Sequence, residues 1–404
     1  MAPGRIAIVG ASLAGLTAAR ALRSQGFDGQ LALIGEEERE PYDRPPLSKQ
    51  VLAGTRGADD VALASGGELA GLGLDLRLGR RATELDLVHR EVGLLGGERV
   101  PFDAVVVATG AVPRELPGAP DLDGIRMLRT LDDAVAIRAE LERDPKVVVV
   151  GAGFIGAEVA ASARGLGLGV TVVEVLPVPL SQALGPAMGA VCARLHRDNG
   201  VDLRCGVAVA GFEGSERVEA VVLSDGTRVD ADLVVVGIGV RPATDWLAGS
   251  GLDLADGVVC DPTLQAVGAP FVYAAGDVAR WDHPLYGEQV RIEHWTNAAD
   301  QGRSVARNLL ADAGSAEPFA PVPYVWSDQY GLKIQALGRC RADDTVEVVL
   351  GSVDEHRFVA LYGRDGLLHG ALGFAMPGKL MRFNPLLERQ ATWAEAIEHA
   401  GTLR

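Results

Sequence analysis

Three glycines set the chemistry of the segment KVVVVGAGFIGAEVAASARGLGLGVTVVEVLP at residues 146–177. Gly151, Gly153 and Gly156 follow a β-branched apolar run and open an Ala-rich helical stretch, after which a second apolar run ends at Glu174. A strand that turns sharply into a helix needs the first glycine. A pyrophosphate approaching the backbone favours the second, and close packing of helix on strand favours the third. The amides at the start of the helix then face the phosphate oxygens. Glu174, 18 residues past Gly156, stands where a carboxylate accepts the hydroxyls of a ribose and repels a 2′-phosphate. Val175, Leu176 and Pro177 offer no cation beside it, so NADH is expected rather than NADPH.

The same pattern stands 141 residues earlier, in RIAIVGASLAGLTAARALRSQGFDGQLALIGEE at residues 5–37. Gly10 and Gly15 are present and Ser12 takes the middle position, with Leu13 and Ala14 completing the turn. A serine is small enough to admit a phosphate, and its hydroxyl adds a donor. Glu36 follows Gly15 by 21 residues, and its neighbours Glu37 and Glu38 are alternatives for the ribose. One G-x-G-x-x-G motif is a weak signal. Two copies, each in strand, turn, helix and strand order with a terminal acid, imply two dinucleotides, one of which stays bound as a redox relay. FAD with NADH is the natural pair.

The surrounding chain fits this reading. Its 404 residues suggest about two or three domains at roughly 150 residues each, and 48% apolar with 23% charged residues is an ordinary globular composition. There are 51 glycines, well above the usual ~7% share, as tight turns and close backbone approaches to ligands require. A net charge of −16 repels polyphosphate, so no nucleic-acid partner is expected. Cys192, Cys205, Cys260 and Cys340 stand alone, without C-x-x-C pairs or metal-ligand spacing. No metal site or disulfide framework is expected, and a cytoplasmic protein fits best. Cleaving the apolar run 6–19 as an export signal would destroy the first glycine motif. Glu158 breaks the longest apolar stretch, so no membrane span is expected.

Further segments extend the pattern along the whole chain: PYDRPPLSK at 41–49, VVVATGAVPR at 105–114, LRTLDDA at 128–134, GIGVRP at 237–242, YAAGDVAR at 273–280, IEHW at 292–295 and YVWSDQYGLKIQALG at 324–338. In this order they resemble the two-dinucleotide flavoproteins, specifically the FAD-dependent NADH:ferredoxin reductases that serve cytochrome P450 and ring-hydroxylating dioxygenase systems. The resemblance implies an α/β chain with two Rossmann-like dinucleotide-binding domains of the glutathione-reductase type and a C-terminal α/β domain. Residues 1–113 and 243–314 would form a discontinuous FAD domain, 114–242 the NADH domain, and 315–404 the C-terminal reductase domain. A polar link (ERDPK) before the second fingerprint and SAEPFAPVP at 315–323 mark two of these borders independently.

The resemblance also implies roles. Gly10, Ser12, Leu13, Ala14 and Gly15 would wrap the FAD pyrophosphate, with Glu36 on the adenosine ribose, Arg44 near the adenine end and Arg129 near the pyrophosphate. Ala82 would meet the adenine through its backbone. Gly276 and Asp277 would bind the ribityl chain, and Trp295 and Trp326 would adjoin the isoalloxazine. Gly239 joins Gly151, Gly153, Gly156 and Glu174 on the cofactor-binding side. Glu158 in an apolar helix needs a cationic partner if buried, and the family pattern suggests Lys49, the pair sitting close to flavin N5 as the catalytic residues. His294 reads as a packing or hydrogen-bonding residue.

NADH would then deliver a hydride to the flavin, and single electrons would pass to a [2Fe-2S] ferredoxin. Residues 41–54 hold no cysteine, so the thiol relay of the disulfide reductases is not expected. Docking of an acidic ferredoxin is expected through Arg291, Lys333, Arg339, Lys379 and Arg382, and a monomer is the default. The alternatives are an NADH:rubredoxin reductase and an apoptosis-inducing-factor-like flavoprotein.

Overall fold

A computed structural model describes residues 3–312 and 314–403. The chain divides into two compact units. The first comprises Met1–Asp43, Val61–Val112 and Arg241–Pro323; the second comprises Arg44–Asp60, Pro113–Val240 and Tyr324–Arg404.

In the first unit the run RIAIV forms the strand Arg5–Val9, whose residues after the first are all buried. It lies between Gln30–Ile34 and Ala104–Val107, and Asp75–Arg77 and Val272–Ala274 complete a five-stranded parallel sheet. Strands apolar on both faces demand cover on both faces. The helices Leu13–Ser24 and Trp295–Leu310 contribute to it, and they pack so closely that a Cβ on Gly302 would lie 2.6 Å from the Ala14 carbonyl oxygen. Two three-stranded sheets accompany this core, one from Ala82–Asp86, Glu91–Leu94 and Arg99–Pro101, the other from Val258–Cys260, Ala279–His283 and Glu288–Arg291.

The second unit repeats the construction. VVVV forms the fully buried strand Val147–Val150 between Val170–Glu174 and Leu233–Val236, with Asp202–Cys205 and Ile125–Met127 at the edges, all parallel. The helix Phe154–Gly165 follows the glycine turn. The same unit holds a five-stranded antiparallel sheet in the order Tyr324–Gln329, Leu332–Gly338, Leu367–Phe374, Arg357–Arg364, Thr345–Ser352. Its apolar face packs with Leu184, Met188, Cys192 and Leu195 of the helical segment Ser181–Asp198. The expected α/β class with two parallel Rossmann-like sheets is what the chain adopts.

No helix among the described residues is long and apolar enough to cross a membrane. No group of three or more His, Cys, Asp or Glu among them is arranged to hold a metal ion.

Candidate active site

The two glycine turns are built to one plan. Gly10 has φ +119°, and a Cβ there would lie 2.1 Å from the Ala108 carbonyl oxygen; Gly151 has φ +97°, and its Cβ would lie 2.3 Å from the Gly237 oxygen. A Cβ on Gly15 would meet Gly10 O at 2.0 Å, and one on Gly156 would meet Gly151 O at 2.0 Å. The first and third glycines are therefore demanded by the chain's own packing. The middle position differs. Gly153 caps its helix in an extended conformation and has nothing within 4 Å of a would-be Cβ. Packing within the chain does not require its smallness, and the open space leaves room for a pyrophosphate against the backbone. Ser12 occupies the same place in the first turn, half-buried and extended, with its hydroxyl making no cap bond. Neither helix carries an acidic residue in its first turn, so both N-termini remain receptive to an anion. Both turns fit a dinucleotide.

Within the first unit, Gly276 comes beside the first turn: a Cβ on it would lie 3.2 Å from Ala14 Cβ. Its N–H donates to Gln301 Oε1 at 2.7 Å, and the buried Gln301 Nε2 has no partner among the described residues. Asp277 follows, half-buried, its carbonyl accepting from Arg291 Nη1 at 3.2 Å. Trp295 donates its indole N–H to Asp43 Oδ1 at 2.7 Å. Burial lowers the His294 imidazole to about 4, with Asp277 opposing, so this histidine is neutral at pH 7. Glu36 is exposed, with Arg81 Nη1 at 3.5 Å, whereas Glu37 accepts a hydrogen bond from the Tyr42 hydroxyl. Ala82 begins its strand opposite Leu94, half-buried. Arg291 is held inside by Glu293 at 2.5 Å and Asp256 at 3.2 Å, with 12% of its side chain exposed. Its charge braces the loop of Asp277 and is not presented to a partner.

In the second unit, Glu174 is buried at the end of its strand. Its Oε2 accepts the Ala152 N–H at 2.7 Å and its Oε1 the Leu176 N–H at 2.9 Å. These bonds hold the carboxylate at the glycine turn and leave lone pairs for a diol. Val175 beside it is 64% exposed. Gly239 adopts φ +94° and its carbonyl accepts from the Arg114 N–H at 2.9 Å. Arg44 donates to the Arg129 carbonyl at 2.5 Å, and Arg129 opens the capping box of Thr130 and Asp133.

Lys49 and Glu158, 109 residues apart in sequence, form an ion pair at 2.7 Å. Glu158 is 3% exposed on its helix. The same carboxylate accepts from Ser48 Oγ at 2.5 Å and from Ser327 Oγ at 2.8 Å. Trp326, next to Ser327, is half-buried and stacks with Tyr324 at 5.9 Å between ring centres. Ser48, Ser327, Gln301 and Asp43 are absent from the expected set. Three of them lie inside motifs read from the sequence, but nothing in a motif says which way a hydroxyl or carboxylate turns.

None of the cysteines forms a disulfide. Cys192 and Cys260 are buried, and burial alone pushes the Cys192 thiol up to about 12, so it is inert as a nucleophile at neutral pH.

Residues 4–302 match the family described as pyridine nucleotide-disulphide oxidoreductase, and residues 324–399 match the reductase C-terminal family. Putidaredoxin reductase of Pseudomonas putida is 37% identical over 364 residues, covering 88% of this chain and 85% of its own length. The ferredoxin–NAD(+) reductase component of the biphenyl dioxygenase system of Paraburkholderia xenovorans is 38% identical, covering 91% and 88%. Rhodocoxin reductase of Rhodococcus erythropolis is 37% identical, covering 87% and 82%. Among solved structures, the covalent putidaredoxin reductase–putidaredoxin complex matches with a TM-score of 0.91 at 34% identity, over 96% of this chain and 93% of that one. The repeated glycine turns, the C-terminal sheet and these likenesses agree: the chain belongs to the pyridine nucleotide-disulphide oxidoreductase family, in its branch of ferredoxin reductases.

Proposed function

We propose that this protein is an FAD-dependent reductase that takes a hydride from NADH and passes single electrons to a [2Fe-2S] ferredoxin of a P450 or dioxygenase system. The observation that carries the proposal is the pair of glycine turns, matched in their close approaches, with the open middle position at Gly153. FAD, when bound, supplies the conversion between two-electron and one-electron chemistry. Gly10, Ser12, Leu13, Ala14 and Gly15 hold its pyrophosphate through backbone amides. Gly276 and Asp277 bind the ribityl chain, while Arg44, Ala82 and Arg129 serve the adenine and pyrophosphate ends. Glu36 receives the adenosine ribose, since Glu37 is engaged by Tyr42. Trp295 and Trp326 border the ring system. Gly151, Gly153, Gly156 and Gly239 bind the NADH backbone, and Glu174 selects its ribose.

Lys49, neutralised by Glu158, supplies a fixed cation beside the reacting ring, and a preorganised charge favours the charge that develops in the transition state. No nucleophile is needed from the chain, in keeping with the inert, buried thiol of Cys192. Residues 1–113 and 243–314 act as the FAD domain, 114–242 as the NADH domain and 315–404 as the C-terminal domain of a cytoplasmic monomer. Residues 317–404 carry nine Lys and Arg against eleven Asp and Glu, so the acidic excess lies elsewhere. Arg382 is exposed and without an ion-pair partner among the described residues, and is a cation there that an acidic ferredoxin would meet.

The test is direct. The purified protein should show a flavin spectrum that NADH bleaches, and a [2Fe-2S] ferredoxin should restore it faster than a rubredoxin does. A colourless protein, or a flavin that NADH leaves oxidised, overturns the proposal.

A further inference from the structure

The donors on Glu158 come from distant parts of the chain. Ser48 and Lys49 sit on the π-helical turn Leu47–Val51, in which the Val51 N–H reaches the Pro46 carbonyl at 3.0 Å across five residues. This wide turn delivers two adjacent side chains to one oxygen, Oε2. Ser162, four residues past Glu158 on the same helix, donates to the Ser48 carbonyl at 2.7 Å and clamps the turn. Ser327, from the antiparallel sheet, donates to the other oxygen, Oε1, and Gln329 Nε2 donates in turn to Ser327 Oγ at 3.1 Å. Ser48, Ser327 and Gln329 are all closed to solvent.

Neutralising Glu158 needs Lys49 alone, so the two hydroxyls do something further. The terminal torsion of a carboxylate is soft, and an ammonium on a four-carbon stem follows wherever its partner swings. Donors on both oxygens remove that freedom. We infer that Ser48 and Ser327 are positioning residues, which aim the Lys49 ammonium by locking the carboxylate of Glu158. The C-terminal sheet thus contributes to the reductive step through Ser327. The inference rests on the proposed place of Lys49 in hydride transfer.

The experiment compares wild type with Ser327→Ala, Ser48→Ala and Ser327→Thr in the flavin-bound full chain. It reads the acetylation rate of Lys49 by mass spectrometry, with Lys146 as reference, and the limiting rate of flavin reduction with the NADH dissociation constant. With the Glu158 carboxylate no longer held still, Lys49 should acetylate about fivefold faster in both alanine variants. Flavin reduction should slow about tenfold with NADH affinity unchanged, the pattern of a lost transition-state interaction. Ser327→Thr keeps the hydroxyl and should restore both. Wild-type acetylation in the alanine variants overturns the inference, as does a threonine variant as impaired as alanine. A Lys49→Met chain that reduces flavin at the wild-type rate instead sinks the parent reading, whatever the acetylation shows.

Discussion

The Tyr330 hydroxyl lies 2.6 Å from Nδ1 of His196, with the two rings edge to face. His196 is wholly buried in the helical segment Ser181–Asp198. Burial, aided by Arg197, lowers the imidazole from 6.5 to about 4, and burial likewise pushes the Tyr330 phenol up. Both groups are therefore neutral at pH 7, and one hydrogen bond between neutral groups joins them. The folded state binds its proton at a lower pH than the unfolded state does, so the stabilisation is complete above about pH 6.5 and is lost as pH falls towards 4. Integrated over that window the loss is about 3 kcal/mol. The thermal midpoint should fall between pH 7 and 5, and fall less in His196→Gln. Equal acid sensitivity in the two proteins would show that His196 is not a source of it. His294, also lowered to about 4, leaves a residual sensitivity in the variant.

The Lys49–Glu158 pair predicts an asymmetry between stability and rate. Lys49→Met strands a buried carboxylate and should destabilise by about 3 kcal/mol or more. Lys49→Met combined with Glu158→Leu removes both charges and should recover most of that loss, while flavin reduction stays slow. Denaturant unfolding checks the first part and stopped-flow reduction the second. A double variant no more stable than Lys49→Met would contradict the stranded-charge account.

The middle glycine of the second turn separates fold from ligand. Gly156→Ala would place a methyl 2.0 Å from Gly151 O and should unfold or strongly destabilise the turn. Gly153→Ala meets open space and should keep the wild-type thermal midpoint and flavin content, yet raise the NADH dissociation constant by about tenfold or more, a loss of ~1.4 kcal/mol. Unaltered NADH affinity in Gly153→Ala would remove the pyrophosphate from that position.

Nucleotide choice should turn on Glu174 and its exposed neighbour Val175. A carboxylate repels a 2′-phosphate and an arginine attracts it. Val175→Arg with Glu174→Ser is expected to raise kcat/KM for NADPH and lower it for NADH, together reversing the preference. The two bonds of Glu174 to the Ala152 and Leu176 amides mean that some turn stability is lost as well, so Val175→Arg alone is the milder companion. Unchanged preference in both variants would place the ribose elsewhere.

Much of this protein could be read along the chain because its requirements are local. Gly10 and Gly151 need positive φ, the valine runs need burial on both faces, and an acid must close each second strand; all of these leave marks within about thirty residues. The duplication, the parallel sheets and the acid at Glu174 follow from such marks, and so does the family. Glu158, two residues past a glycine turn in an apolar helix, already demanded a cation if buried.

Which groups answer that demand was settled by the fold. Ser48 and Ser327 reach Glu158 from 110 and 169 residues away, and Arg291 turns inward to Asp256 and Glu293 rather than outward. A spacing rule records what neighbouring backbone must do. The direction of a buried hydroxyl or guanidinium depends on which distant donor or acceptor arrives beside it when the sheets and helices pack, because a buried polar group takes whatever partner the packing supplies. The sequence alone thus determined two nucleotide turns and their acids; tertiary packing decided the set of donors that holds the buried carboxylate of Glu158.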